Sequence, residues 1–166
     1  LRGMLFNLQI KVQQTDFSES GTVVLIEELE TALMYLDEHA EHEDKFIFAH
    51  VAHKEPSITK ELESDHVIDH KLSEDLRAYI GKWKTAATGA ERILAGRQIF
   101  SAMNGFIAFN LYHMNKEENQ FLVLLWKHFS DEEIHSMEQE MLQHMDPKVL
   151  MAESRWIMRN LSNPEI

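Results

Sequence analysis

The sequence predicts an all-α antiparallel four-helix bundle with additional helices at its carboxy-terminal end. Three observations carry that expectation. Only 6 glycines and 3 prolines punctuate the 166 residues, leaving long uninterrupted stretches. Within those stretches apolar residues recur at the three- and four-residue spacing of a helix with one buried face. The breaks between stretches are short, which sets consecutive helices side by side and antiparallel. A chain of this length buries about 70% of its unfolded surface as one unit, so no disulfide or metal is needed to hold the core.

Residues 1–14 place Met4, Leu5, Leu8 and Val12 on one face, a first short helix without a histidine. A loop follows at residues 16–21, where Ser18 or Ser20 is suited to cap the next helix. The second helix is expected over residues 22–52, with Leu29, Leu33, Leu36, Phe46 and Ile47 facing inward. A turn at Pro56, with Ser57 as cap, opens a third helix that reaches residue 85. Leu62, His66, Asp69, Ser73, Leu76 and Ile80 line its inner face, with His70 at the edge. Small residues at 85–90 mark the next break, and a long fourth helix extends over residues 91–127. Its inner stripe is Ile99, Met103, Phe106, Asn110, His113, Glu117 and Leu124, with Gly105 as a point of bending. Ser130 and Asp131 start an acidic fifth helix that ends before Pro147, and residues 149–161, with Trp156, read as a packing helix. The bundle is assigned to residues 1–129, and a helical extension packed on the same domain to residues 130–166.

Composition narrows the function. Lys and Arg number 16 against 28 Asp and Glu, a formal net charge of −12 that repels phosphate backbones and anionic membranes. Nucleic acid and membrane are therefore excluded as partners. The longest apolar run, residues 121–126, is far short of the roughly 20 that span a bilayer. No signal peptide is visible at the start, so a cytoplasmic location is expected. The absence of cysteine removes disulfides, thiolate nucleophiles and iron–sulfur ligation together, and leaves nitrogen and oxygen to hold any metal.

The chemistry centres on D-E-H-A-E-H-E-D-K-F-I-F-A-H, which begins at Asp37. His39 and Glu43 lie about 40° apart and one turn up the same face. That face is otherwise apolar, and an imidazole and a carboxylate placed there need a hydrogen bond or a metal. His113 and Glu117 repeat the spacing, and His66 and His70 form a third pair. One such pair alone is common between surface partners. Three pairs on three helices, two of them within apolar stripes, point to a shared site for iron, manganese or zinc. The competing reading is a polar layer held only by hydrogen bonds. His42, Asp69 and Asn110 are candidates to support the ligands from behind. His50, His53, His128, His135 and His144 read as surface or bundle-end residues, and Glu38, Glu41, Asp44 and Glu118 as solvated charges. Trp83, Met103, Phe106, Met114 and Phe121 read as core, and some of them would form the dry lining of a pocket for a gas.

On H-A-E-H-E-D-K-F-I-F from His39 and H-M-N-K-E-E from His113, with His66 and His70 between them, residues 1–129 resemble the hemerythrin-like, or HHE cation-binding, family. The resemblance implies a four-helix bundle around a non-haem di-iron centre. It makes His39 and His113 terminal ligands and Glu43 and Glu117 bridges, with His66 and His70 completing the set. Two non-haem iron ions are implied, with manganese or zinc as substitutes in the isolated protein. Dioxygen or nitric oxide would be bound or sensed at an open iron position, and the sequence carries no substrate-pocket signal that would mark an enzyme. The family's first helix supplies a further histidine near its start, and nothing before His39 does so here. Since the chain opens on Leu1 rather than Met, that ligand is expected upstream, or the site is one ligand short. The missing cysteines set the chain apart from relatives that repair iron–sulfur clusters.

Two other readings stand beside this one. The first is iron storage or an iron-linked regulator that docks to a protein partner or a second copy through the acidic fifth helix and the Trp156 segment. The second is a ferritin-like di-metal oxidase, whose Glu-x-x-His string occurs at Glu63 with His66 and at Glu132 with His135. Glu132 stands only 15 residues after Glu117, too little chain for two full antiparallel helices centred on one site.

Overall fold

The structure, a computed structural model, describes residues 1–160, apart from the side chains of residues 152, 153, 157, 159 and 160. The end of the expected last helix, Leu161, lies outside the described residues, as does the rest of the extension after it. Six helices are present among the described residues. Helix α1 is Arg2–Gln14, and a 3₁₀ turn, Ser20–Thr22, leads into α2, Val23–His42. Helix α2 continues through a π-helical segment, Glu43–Phe48, to a last turn at Ala49–Val51. Helix α3 is Pro56–Thr85. Helix α4 is Gly89–Lys116, continued by a second π segment, Glu117–Phe121, and by Leu122–His128. Helices α5, Asp131–His144, and α6, Pro147–Asn160, complete the fold. No strand occurs among the described residues, and no helix among them is long and apolar enough to cross a membrane.

Local chemistry explains the boundaries. Helices α4 and α5 each begin on a capping box, Thr88 with Glu91 and Ser130 with Glu133, which satisfies two otherwise unpaired N–H groups at each start. Ser57 caps nothing, because α3 already starts at Pro56, where the missing N–H costs no hydrogen bond. Ser20 is drawn into the 3₁₀ turn, and Ser18 bonds back to Asp16. Gly105 lies within unbroken α4.

Cross-helix pairs give the directions. Lys84 with Glu30 at 2.6 Å, Arg77 with Asp37 at 2.5 Å and His66 with Asp44 at 2.8 Å run α3 antiparallel to α2. Asn115 and Asn104 receive Arg2 and Gln9, which runs α1 antiparallel to α4. Helix α5 packs over the π segment of α2, where Phe46 stacks on His144 at 4.8 Å and His50 stands 3.4 Å from Glu140. Helix α6 meets α1, and Trp156 packs against the core there.

The apolar interior is divided. A larger cluster around Leu5, Ile26, Leu33, Leu76, Ile99 and Phe106 fills the loop end of the bundle. A smaller one, built on Phe48, Val51, Leu62, Phe121, Leu125 and Met137, fills the end under α5. Between them lies a layer of buried polar side chains: Asp65, His66, Asp69, Ser73, Asn110, His113 and Lys116. The two π segments fall at the edge of this layer, and each inserts one extra residue into its helix. Leu122 N–H accordingly reaches back five residues to Glu117 O. The inner positions shift with it. Phe48, Val51 and Leu125 are buried where Phe46, Ile47 and Leu124 are expected, and those three are half-buried.

Candidate metal centre

Each π segment begins on a carboxylate that faces the polar layer, Glu43 on α2 and Glu117 on α4. The extra residue is absorbed directly after the carboxylate, so Glu43 and Glu117 hold the register of the core before them while Phe48 and Phe121 resume it beyond. Helix α3 adds His66 and α4 adds His113. These four residues each offer one ligand atom, and the four atoms lie within 4.8 Å of one another. His66 Nε2 is 3.1 Å from His113 Nε2, and His113 Nε2 is 3.2 Å from Glu117 Oε1. His66 Nε2 stands 3.5 Å from Glu43 Oε2.

Carboxylates behind the imidazoles fix how they point. His66 Nδ1–H donates to Asp44 Oδ1 at 2.8 Å, and His113 Nδ1–H to Asp65 Oδ2 at 3.3 Å. Both Nε2 atoms therefore present to the cluster, as in the carboxylate–histidine–metal arrangement. Two neutral Nε2 lone pairs face each other at 3.1 Å, a repulsive contact unless a cation lies between them. In the metal-free protein a proton takes that role. Burial works against a charged His66, but its hydrogen bond to Asp44 and the negative charge of Glu43 beside it outweigh it and raise the imidazole to about 10. Burial would raise the Glu43 carboxyl, yet His39 and His66 beside it bring it down to about 2. Glu117 moves the other way, since burial raises its carboxyl and neighbouring Glu43 adds to the rise against the pull of His113. Burial lowers His113, and Glu117 and Asp65 more than restore it.

The residues fit a bound cation. Glu43 Oε2 and Glu117 Oε1 are buried with no hydrogen bond, the nearby imidazoles standing without the geometry for one. Orphaned carboxylate oxygens of this kind cost a protein free energy unless an ion takes their lone pairs. Ligand nitrogens sit about 2.0–2.1 Å from zinc, so two on one ion lie about 3 Å apart, the separation found between His66 and His113.

The other sequence-derived candidates divide. His39 Nε2 reaches Glu43 Oε1 at 3.3 Å, so it borders the group of four and is partly open to solvent. His70 is not brought to the cluster. It is 61% exposed, with Asp37 and Glu74 each 3.7 Å away. The reason lies in α3: His66 already sits about 50° from the midline of the buried stripe, and His70 turns a further 40° outward. Asp69 takes the inward position, accepting from Asn110 Nδ2 at 2.5 Å, and both adjoin His66 and His113. His42 stands apart, its Nδ1 buried without a partner and its ring 6.1 Å from that of Phe46. Glu63, Glu132 and His135 are exposed, so of the two Glu-x-x-His strings only His66 enters the cluster, without its glutamate.

Three contributors go unread in the sequence. Asp44, read as a solvated charge, supports His66. Asp65 supports His113 and lies four residues before Asp69 on the same stripe, a spacing that could have found it. Lys116 carried no signal, since a lysine next to Glu117 reads as solvated.

Two cavities adjoin the centre. One, of about 20 Å³, is enclosed by Leu36, His39, His66, Asn110, Met114 and Glu117 among others. The other, of about 600 Å³, opens from Glu43, His39 and Glu117 past Met114 and Phe121 to a roof of Ile134, Met137 and Met141 on α5. Trp83, Met103 and Phe106 belong to the larger apolar cluster instead.

An all-α bundle whose interior gathers two imidazoles and two carboxylates with unsatisfied oxygens is a metal-binding helical bundle. Residues 1–125 match the hemerythrin HHE cation-binding domain, and the chain belongs to that family. No curated protein and no solved structure matches the chain.

Proposed function

We propose that the centre holds two non-haem iron ions and binds or senses dioxygen or nitric oxide. Glu43, His66, His113 and Glu117 are the inner ligands in this reading, and His39 joins them from the solvent side. Iron held there would supply a redox-active Lewis acid. The protein's own part is positional. Asp44 and Asp65 hold the imidazoles with Nε2 inward, and the Asp69 and Asn110 pair braces the wall behind them. Met114, Phe121 and the residues of α5 keep the approach apolar.

The observation that carries this reading is the size of the inner chamber. At about 20 Å³ it has room for roughly one water-sized molecule, which suits a diatomic. Imidazole and carboxylate donors without thiolate suit iron among the transition metals. The test is anaerobic loading with ferrous iron followed by exposure to oxygen. Two irons per chain and a visible charge-transfer band are expected, both lost in Glu43→Gln with Glu117→Gln. A colourless protein that retains less than one iron per chain refutes the proposal.

A further inference from the structure

Lys116, one residue before Glu117, is buried despite its charge. Its ammonium lies 2.6 Å from Asp65 Oδ2 and 2.7 Å from Glu61 Oε1, and 5.4 Å from the centre of the Tyr112 ring. The same Asp65 Oδ2 is the atom that His113 Nδ1 reaches, at the longer distance of 3.3 Å. His66 is served differently. Its Nδ1 is 2.8 Å from Asp44 Oδ1, and among the described residues no lysine or arginine pairs with Asp44. The two inner imidazoles therefore have unequal carboxylates behind them.

We propose that Lys116 is a positioning residue: by drawing Asp65 onto its ammonium it slackens the hydrogen bond to His113 and makes His113 the weaker donor of the two toward a bound cation. The proposal rests on reading the cluster as a metal centre. A carboxylate polarises the imidazole it accepts from, and so strengthens that imidazole as a ligand. An ammonium in direct contact neutralises much of that effect, and the shared oxygen stands farther from the ring. A lysine with a purely structural role predicts the opposite sign. Its removal would leave buried Asp65 without its cation and loosen α3 against α4, leaving metal affinity unchanged or lower.

The test measures zinc affinity of the full chain by competition with a chromophoric chelator. Lys116→Met is expected to tighten binding about tenfold, the scale of outer-ligand effects at metal sites, while charge-retaining Lys116→Arg stays near wild type. Removing a positive charge also helps a cation through space, so the same pair is compared in an Asp65→Asn background. There the gain should shrink below about threefold, because the linkage through Asp65 is gone. In the metal-free protein the His113 Nδ1–H proton resonance should move downfield in Lys116→Met as its bond to Asp65 shortens. Unchanged or weaker zinc binding in folded Lys116→Met, or an equal gain with Asp65→Asn, overturns the proposal. Should Lys116→Met fail to fold, Lys116→Gln carries the same expectations. A wild-type chain that binds no zinc refutes the metal centre instead, and the His113 resonance still decides whether Lys116 holds Asp65 away.

Discussion

Among single residues, Glu43 and Glu117, each with one buried carboxylate oxygen, carry opposite burdens, and mutation should separate them. Glu43 is held ionised by the imidazoles around it, whereas burial pushes the Glu117 carboxyl upward. In chelator, Glu43→Gln should lower Tm, and Glu117→Gln should leave it unchanged or raise it. Either variant should still weaken metal binding by at least about 10–100-fold, since each removes a ligand rather than a supporting group. Acidity gives a second expectation. His66 is raised from 6.5 to about 10, so its contribution to metal-free stability is full below 6.5 and is lost as pH rises toward 10. Glu43 is lowered from 4.5 to about 2, so its contribution is full above 4.5 and is lost as pH falls toward 2. Metal affinity should instead climb from pH 6.5 to 10, because a metal must displace the His66 proton. Thermal melts in chelator and zinc titrations across that window check the opposed slopes. Glu43, His66, His113 and Glu117, which the structure brings together with His39 at their border, were legible from spacing on apolar stripes, whereas His70, paired with His66 by the same spacing, turns outward. Asp44 was not legible, because its role depends on a helical turn that no propensity marks.

At the scale of elements, the π segments decide where the core resumes. Inserting an alanine after exposed Lys45 should exceed the one extra residue that the first of them absorbs and turn Phe48 and Val51 out of register with Glu43. Circular dichroism should report helicity retained, and metal analysis should report the ion lost. The strict α-helical period used to read the sequence assigns Ile47 and Leu124 inward for the same reason it misses the bulges: it contains no term for an inserted residue. The loop between α1 and α2 gives a different test. A Cβ at Gly96 would stand 2.2 Å from Phe17 Cγ, whose residue is buried and whose carbonyl accepts from Trp83 Nε1 at 2.9 Å. Gly96→Ala gains up to about 1 kcal/mol of helix propensity but forces that packed loop outward, at about 1–3 kcal/mol. A net fall of a few degrees in Tm is expected.

For the whole molecule, the bundle topology was readable because short breaks and one-sided helices leave few arrangements. The placement of α5 was not, since its exposed acidic surface gives no hint that Ile134, Met137 and Met141 roof the metal approach. Met137→Ala should loosen that roof, speeding removal of bound zinc by a chelator severalfold while equilibrium affinity holds, a contrast that stopped-flow extraction would read. The split interior has a further consequence. With no cation to tie its polar midlayer together, the metal-free chain should behave as two half-bundles in series, and the half beneath α5 has the smaller apolar cluster to keep it shut. Amide protons there should exchange sooner than those around Ile26 and Ile99, and a cation seated at the seam should erase the difference, so that the protein melts as one body only when loaded.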